Sequence, residues 1–162
     1  TLSETEVDEA TYSFSVNEIL EIARQRLESV SEKSGVDLKI EDDAPEIELD
    51  NLRVNLLVPI LLNLGHNAIE ATTAGEVKLG ARRKEGSLEF RVQDDGGGVP
   101  DEVRDHLFRP VQSSKSGGSG VGLAICRELA DRIDAEVGLE ETGPNGSRFV
   151  VRLPLTPEGS DS

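Results

Sequence analysis

The sequence predicts an α+β fold: a two-layer α/β sandwich in which a mixed, mostly antiparallel sheet of about five strands carries three helices on one face. Three observations lead there. Stretches near 77–82, 88–93 and 148–153 alternate apolar with polar or charged residues, the mark of strands covered on one side only. Stretches near 15–34, 50–74 and 120–133 read as helices. The buried strands of a doubly wound sheet would be continuously apolar, so the helices here must share a single face.

In chain order, Ser15 and Glu18 have capping-box spacing, Ile19, Ala23, Leu27 and Val30 form an apolar stripe, and Gly35 stops the helix. The short run "VDLKI" follows as a strand. After the acidic loop "EDDAPE", a long helical stretch runs from Asp50, a good N-cap, to about Ala74, and Pro59 inside it is expected to kink or divide it. Val77, Leu79 and Ala81 then alternate with Lys78 and Arg82, and Leu88, Phe90 and Val92 with Glu89, Arg91 and Gln93; the turn "KEGS" joins them into a hairpin with one wet face. A helix from about Gly120 to Ile133 precedes strands near 135–141 and 147–153, linked by "TGPNGS".

The 162 residues are enough for one domain with a proper core. The expected division is an acidic polar linker over 1–14, a folded domain over 15–155 and a disordered tail over 156–162. The chain starts at Thr1 with "TLSETEVDEATY", which is expected of a piece of a longer protein. A formal charge of −15, from 17 basic against 32 acidic residues, repels phosphate backbones and anionic lipid, so neither nucleic acid nor membrane is an expected partner. The single cysteine, Cys126, excludes an internal disulfide framework; set among the apolar residues of "GLAICREL", it is expected to be a core thiol.

Chemistry concentrates in three places. "LLNLGHNAIEA" puts two asparagines, Asn63 and Asn67, four apart on one face of a helix that gains no stability from them. "VQDDGGGVP" ends a strand on Asp94 and Asp95, followed by Gly96 to Gly98. "SSKSGGSGVGLAI" runs a glycine-rich stretch into a helix start, where free N–H groups and the dipole favour phosphate. A nucleotide is the natural guest. Neither the phosphate-binding loop with "GxxxxGK" nor a dinucleotide fingerprint is present.

In this order, "LLNLGHNAIEA", "VQDDGGGVP", "HLFRPVQSSK" and "GGSGVGL" resemble the N, G1, F and G2 boxes of the ATP-binding catalytic domain of two-component sensor histidine kinases. That domain belongs to the superfamily that also holds DNA gyrase, with the nucleotide pocket called the Bergerat fold. The resemblance covers residues 15–155 and ends on "GSRFVVRLP".

It implies ATP and Mg2+ as ligands, with the oxygen of Asn67 on the metal and Asn63 on the phosphate or the metal's water shell. By the same resemblance Asp94 accepts the adenine amino group and Gly96 and Gly98 let backbone pass the base. Lys115 meets the β- and γ-phosphates together with Gly118, Gly120, Val121, Gly122 and Leu123. Arg109 is a weaker phosphate candidate, Phe108 and Pro110 pack to anchor the lid, and Asp95 is a turn residue. Superfamily members that hydrolyse ATP or phosphorylate serine carry a glutamate where this chain has Asn63, so transfer to a histidine is the better fit.

Neither His66 nor His106 has an acceptor's sequence setting, and His66 is expected to pack or lie at the surface. The acceptor is therefore expected on an upstream dimerisation domain, with a response-regulator receiver as the next partner. The full protein is expected to be a cytoplasmic homodimer or the cytoplasmic part of a membrane-bound sensor. The alternatives are a superfamily ATPase or protein serine kinase, and a degenerate nucleotide-binding interaction module. Departures from the pattern are Pro59, Val111 in the F box, "RIDAEV" without a glycine pair, and Glu70 where relatives carry a basic residue.

Overall fold

The computed structural model describes residues 13–41, 45–72, 75–99 and 119–155. Their elements are β1 (Ser13–Ser15), α1 (Val16–Ser34), β2 (Asp37–Ile40), β3 (Glu48–Asp50), α2 (Asn51–Ala71), β4 (Glu76–Lys84), β5 (Ser87–Asp94), α3 (Ser119–Arg132), β6 (Glu136–Gly143) and β7 (Gly146–Pro154). The tail, residues 1–12 of the linker, and the loop bearing His106, Phe108, Arg109, Pro110, Val111, Lys115 and Gly118 lie outside the described residues.

One sheet of order β2-β4-β5-β7-β6 carries the domain, with β2 parallel to β4 and every other pair antiparallel. The mixed α+β sandwich expected from the alternation is the fold observed. Leu88, Phe90 and Val92 of β5, Val77 and Leu79 of β4, and Phe149, Val151 and Leu153 of β7 point to the helices and are buried with Leu57, Ile60, Leu61 and Leu64 of α2. Helix α2 is long and apolar enough to cross a membrane, but its Val54, Leu57, Val58, Ile60, Leu61, Leu64, Ala68 and Ile69 are used up in this core.

The caps form as their residue types dictate. Ser15 Oγ accepts from the Glu18 N–H at 3.1 Å while the Ser15 N–H donates to Glu18 Oε1 at 2.8 Å, and Gly35 closes α1 in the left-handed region at φ 70°. Asp50 Oδ1 accepts from the Arg53 N–H at 2.9 Å. The hairpin turn uses Glu85 and Gly86 at φ 47° and 79°, the paired positive values that match strand twist in a two-residue turn.

Two expectations for α2 need correction. Of the kink or division expected at Pro59, the division does not occur: the helix is continuous from Asn51 to Ala71. It also ends at Ala71 rather than near Ala74, because Thr72 turns to extended backbone (φ −91°, ψ 134°) and its hydroxyl donates to the Ala68 carbonyl at 2.9 Å. Strands β1 and β3 pair antiparallel in a separate ribbon that the sequence reading does not contain, with Phe14 opposite Leu49. Where a glycine pair is missing before β6, Asp134 takes φ 58°, a left-handed position that aspartate tolerates better than most residues.

The open sheet face is held by a charged row. Glu89 is inaccessible to solvent beneath the side chains of Arg82, which donates at 2.8 Å, and Arg152, which donates at 2.7 Å; Arg152 also reaches Glu136 at 3.7 Å. Burial by itself raises the Glu89 pKa, but the hydrogen bonds from Arg152 and Arg82 outweigh it and hold the carboxyl below its ordinary value. A depressed carboxylate stabilises above its unfolded pKa, and that contribution disappears as pH falls through the folded value. Glu89→Gln is expected to destabilise the domain at pH 7 by about 1–2 kcal/mol, below the usual loss for a broken buried pair because both arginines reach solvent. Urea unfolding checks it: the gap to wild type should close as the pH is lowered into the acid range, and a gap independent of pH would refute the pairing.

Candidate functional site

The end of α2, the end of β5, the start of β7 and α3 converge on an open cleft of about 690 Å³, solvent at its mouth included. Its walls are Asn67, Glu70, Ala71, Asp94, Gly98, Val99, Leu123, Ser147 and Phe149. The alternation of β5 ends by turning Asp94 to the covered side, the same side as Val92 and Phe90, so a carboxylate sits where the pattern calls for an apolar residue. Asp94 is 3% exposed.

Burial pushes the Asp94 carboxyl above its ordinary pKa against two backbone hydrogen bonds that favour the charge, from Gly96 N–H at 2.9 Å and Ser147 N–H at 3.1 Å. Both reach Oδ1. No described residue hydrogen-bonds Oδ2, which leaves one oxygen of a fixed carboxylate for a donor inside the cleft. Apolar Val99, Leu123 and Phe149 beside it suit a flat heteroaromatic ring carrying an N–H group.

Asn67, on α2, lines the same cleft. Its Nδ2 is buried without a hydrogen-bond partner among the described residues, a costly state unless a ligand completes it. The last turn of α2 contains no basic residue, so the partial negative charge of that helix end is not offset from within the helix and favours a cation. Among the described residues no three His, Cys, Asp or Glu side chains gather as a metal cluster. A divalent ion beside Asn67 would take most of its oxygens from its other ligands and water, the habit of magnesium.

The other expected residues are placed as follows. Asn63 lies one turn from Asn67 but does not line the cleft; its Nδ2 donates to the Pro59 carbonyl at 3.0 Å, the local bond that short polar side chains make within helices. Gly120, Val121 and Gly122 fall in the first turn of α3, and Leu123 packs at the cleft with 4% exposure. His66 is at the surface, its Nδ1 3.3 Å from Glu70. Asp95 serves the turn, its Oδ2 accepting from the Glu76 N–H at 2.9 Å. Cys126 is fully buried beside the Ile60 carbonyl and its thiol is pushed up to about 12 by burial, as a core thiol requires.

The glycines serve the protein's own backbone. A Cβ on Gly96 would stand 2.4 Å from the Ala71 carbonyl oxygen, and one on Gly98, at φ 92°, would stand 2.5 Å from that of Gly143. Sequence reasoning missed Ser147 and Thr142. Ser147 holds Asp94 through its N–H, its hydroxyl lies 2.7 Å from Thr142 Oγ1, and Thr142 Oγ1 accepts from the Val99 N–H at 2.8 Å. Small hydroxyl residues of a turn carry no periodic signal, and the Asp94–Ser147 bond spans 53 residues. A second depression of about 480 Å³ at the Pro144–Asn145 turn shares only Ser147 with the cleft and lacks an apolar wall for a base.

Residues 52–157 match the family described as "Histidine kinase-, DNA gyrase B-, and HSP90-like ATPase". Over 143 residues the chain is 31% identical to the alginate biosynthesis sensor protein KinB of Pseudomonas aeruginosa, which covers 85% of this chain and 24% of that protein. The chain spans a quarter or less of the curated relatives it matches first. Among solved structures, the catalytic domain of the histidine kinase ThkA superposes with a TM-score of 0.74 at 28% identity, covering 88% of this chain and 94% of that one. Full-length ShkA in complex with AMPPNP gives a TM-score of 0.74 at 27% identity over 88% of this chain and 30% of that one.

Proposed function

The chain belongs to the histidine kinase-, DNA gyrase B- and HSP90-like ATPase family, and we propose that it is the catalytic domain that transfers the γ-phosphoryl group of Mg-ATP to a histidine on a dimerisation domain outside this chain. The observation that carries the reading is that two uncommitted groups line one cleft: the free oxygen of Asp94 and the orphaned amide of Asn67. They suit opposite ends of one ligand, a base and a metal-bound triphosphate. The ShkA complex with AMPPNP, an ATP analogue, supports the same ligand.

In this reading Asp94 Oδ2 accepts from the exocyclic amine of adenine, while Val99, Leu123 and Phe149 exclude water from the ring. Asn67 Oδ1 holds magnesium, whose chemistry there is to offset charge on phosphate oxygens. Asn63, which the cleft wall does not include, offers an amide rather than a carboxylate and supplies no base. The α3 start, with Gly120, Val121 and Gly122, and Lys115 and Gly118 before it, receive the phosphates. The acceptor imidazole attacks the γ-phosphorus as the bond to ADP breaks, and its ring proton leaves to solvent; the domain contributes position and charge rather than a base. A response-regulator receiver domain then takes the phosphoryl group, in a homodimeric cytoplasmic assembly.

The test supplies the acceptor in trans. The chain alone is expected to bind ATP without durable labelling from γ-labelled nucleotide, and to give an acid-labile label on a separately added dimerisation domain bearing the histidine. Acid-stable label on the chain, or rapid phosphate release with no acceptor, would favour the serine-kinase or ATPase alternative. No nucleotide binding would favour a degenerate interaction module.

A further inference from the structure

We propose that Thr72 is a positioning residue that fixes the Asn67 end of the cleft relative to the Asp94 end. This inference rests on the reading of the cleft as a Mg-ATP site and deepens it.

The two groups sit on different elements, Asn67 on α2 and Asp94 on β5, and a ligand that spans both needs those elements held at one separation. Thr72 makes the junction. It is 6% exposed, and its hydroxyl donates to the Ala68 carbonyl at 2.9 Å while accepting from the Asp95 N–H at 3.3 Å. One oxygen thus ties the last turn of the helix that carries Asn67 to the residue next to Asp94. One contact shows how closely α2 meets this segment, and a second ties the segment to β4. The Gly96 backbone passes so near the Ala71 carbonyl that a Cβ there would stand 2.4 Å from it, and Asp95 Oδ2 binds the Glu76 N–H at the start of β4. Without the hydroxyl no hydrogen bond from a described side chain ties α2 to the 94–96 segment, and the separation of Asn67 from Asp94 then rests on packing alone.

Thr72→Val keeps the shape and removes both hydrogen bonds; Thr72→Ala removes them without the added methyl; Thr72→Ser keeps the hydroxyl. Binding is measured by calorimetry for adenosine, which engages only the Asp94 end, and for ATP with magnesium and with chelator, alongside thermal unfolding. Wild type binding ATP more tightly with magnesium tests the site reading itself, and its absence would sink that reading. Given that gain, Val and Ala are expected to reduce it about tenfold, the usual effect of losing a group that orients a metal ligand. Adenosine affinity should stay within about twofold and Ser should restore the gain, since positioning errors act on a two-ended ligand more than on one end. Equal loss for adenosine and Mg-ATP, an unchanged magnesium gain, or loss of the fold in Val and Ala but not Ser would each make Thr72 a plain helix cap and overturn the proposal.

Discussion

Asp94→Asn is expected to lower ATP affinity about 100-fold, the scale of a hydrogen bond to a charged acceptor replaced by a facing donor, while leaving the nucleotide-free protein more stable. The two effects have one cause. Oδ1 is already held by the Gly96 and Ser147 N–H groups, and an asparagine oxygen can still accept both bonds, though more weakly than a charged one. What the substitution removes is a buried negative charge whose pKa is raised, first by burial and then by Asp95, against those two hydrogen bonds. A carboxyl with a raised folded pKa contributes stability below its unfolded pKa and loses it as pH rises through the folded value. At pH 7 that stability is gone, so the neutral amide is expected to raise the melting temperature by about 2–4 °C, the shift that about 1 kcal/mol gives in a domain of this size. The advantage should fade as the pH is lowered through the carboxylate range. GTP, with an oxygen where ATP has its amine, should bind wild type poorly and discriminate less in the variant. A wild type that takes GTP as well as ATP, or an Asn variant that melts lower at pH 7, would remove Asp94 from the base position.

The second large effect is expected at Asn67. Asn67→Ala should remove most of the magnesium-dependent part of ATP affinity, about 30-fold or about 2 kcal/mol, because the protein offers few other oxygens to the ion. ATP affinity with chelator present should change little. Stability should not fall with it: Nδ2 is a buried donor without a partner among the described residues, so truncation removes an unsatisfied group rather than a made bond. Nucleotide titration with and without magnesium, beside a denaturation curve, separates the outcomes. An alanine variant with the wild-type magnesium dependence would show that the orphaned amide serves something other than the metal.

Much of this molecule was legible in the sequence because the determinants are local. Capping of α1 by Ser15 with Glu18 and of α2 by Asp50 acts over three residues, the helical stripe over three or four, and strand alternation over two. The polar exceptions to those patterns were legible for the same reason. Asn67 in an apolar helix and Asp94 on the inward register of a strand break their periods, and both stand on the wall of one cleft.

Tertiary structure decided the rest. Thr72 and Asp95 are 23 residues apart, Thr142 and Val99 43, and Ser147 and Asp94 53; nothing within a turn of any of them announces the bond. The three-residue β1–β3 ribbon is too short for a period to register, and only the antiparallel partner makes it a strand. Gly96 and Gly98 read as openings for a ligand, yet the space beside each is filled by a carbonyl brought there from Ala71 and Gly143. Asn63 shares a helix face with Asn67, but its amide is turned to the Pro59 carbonyl and the cleft wall does not include it. Periodicity and capping are energies of neighbours along the chain, so the sequence determined the longer helices and strands and where their polar faces lie. Which hydroxyl or carbonyl completes Asp94, stops α2 or crowds a glycine depends on chain reversals that bring distant residues within about 3 Å, a length at which hydrogen bonds are made or lost.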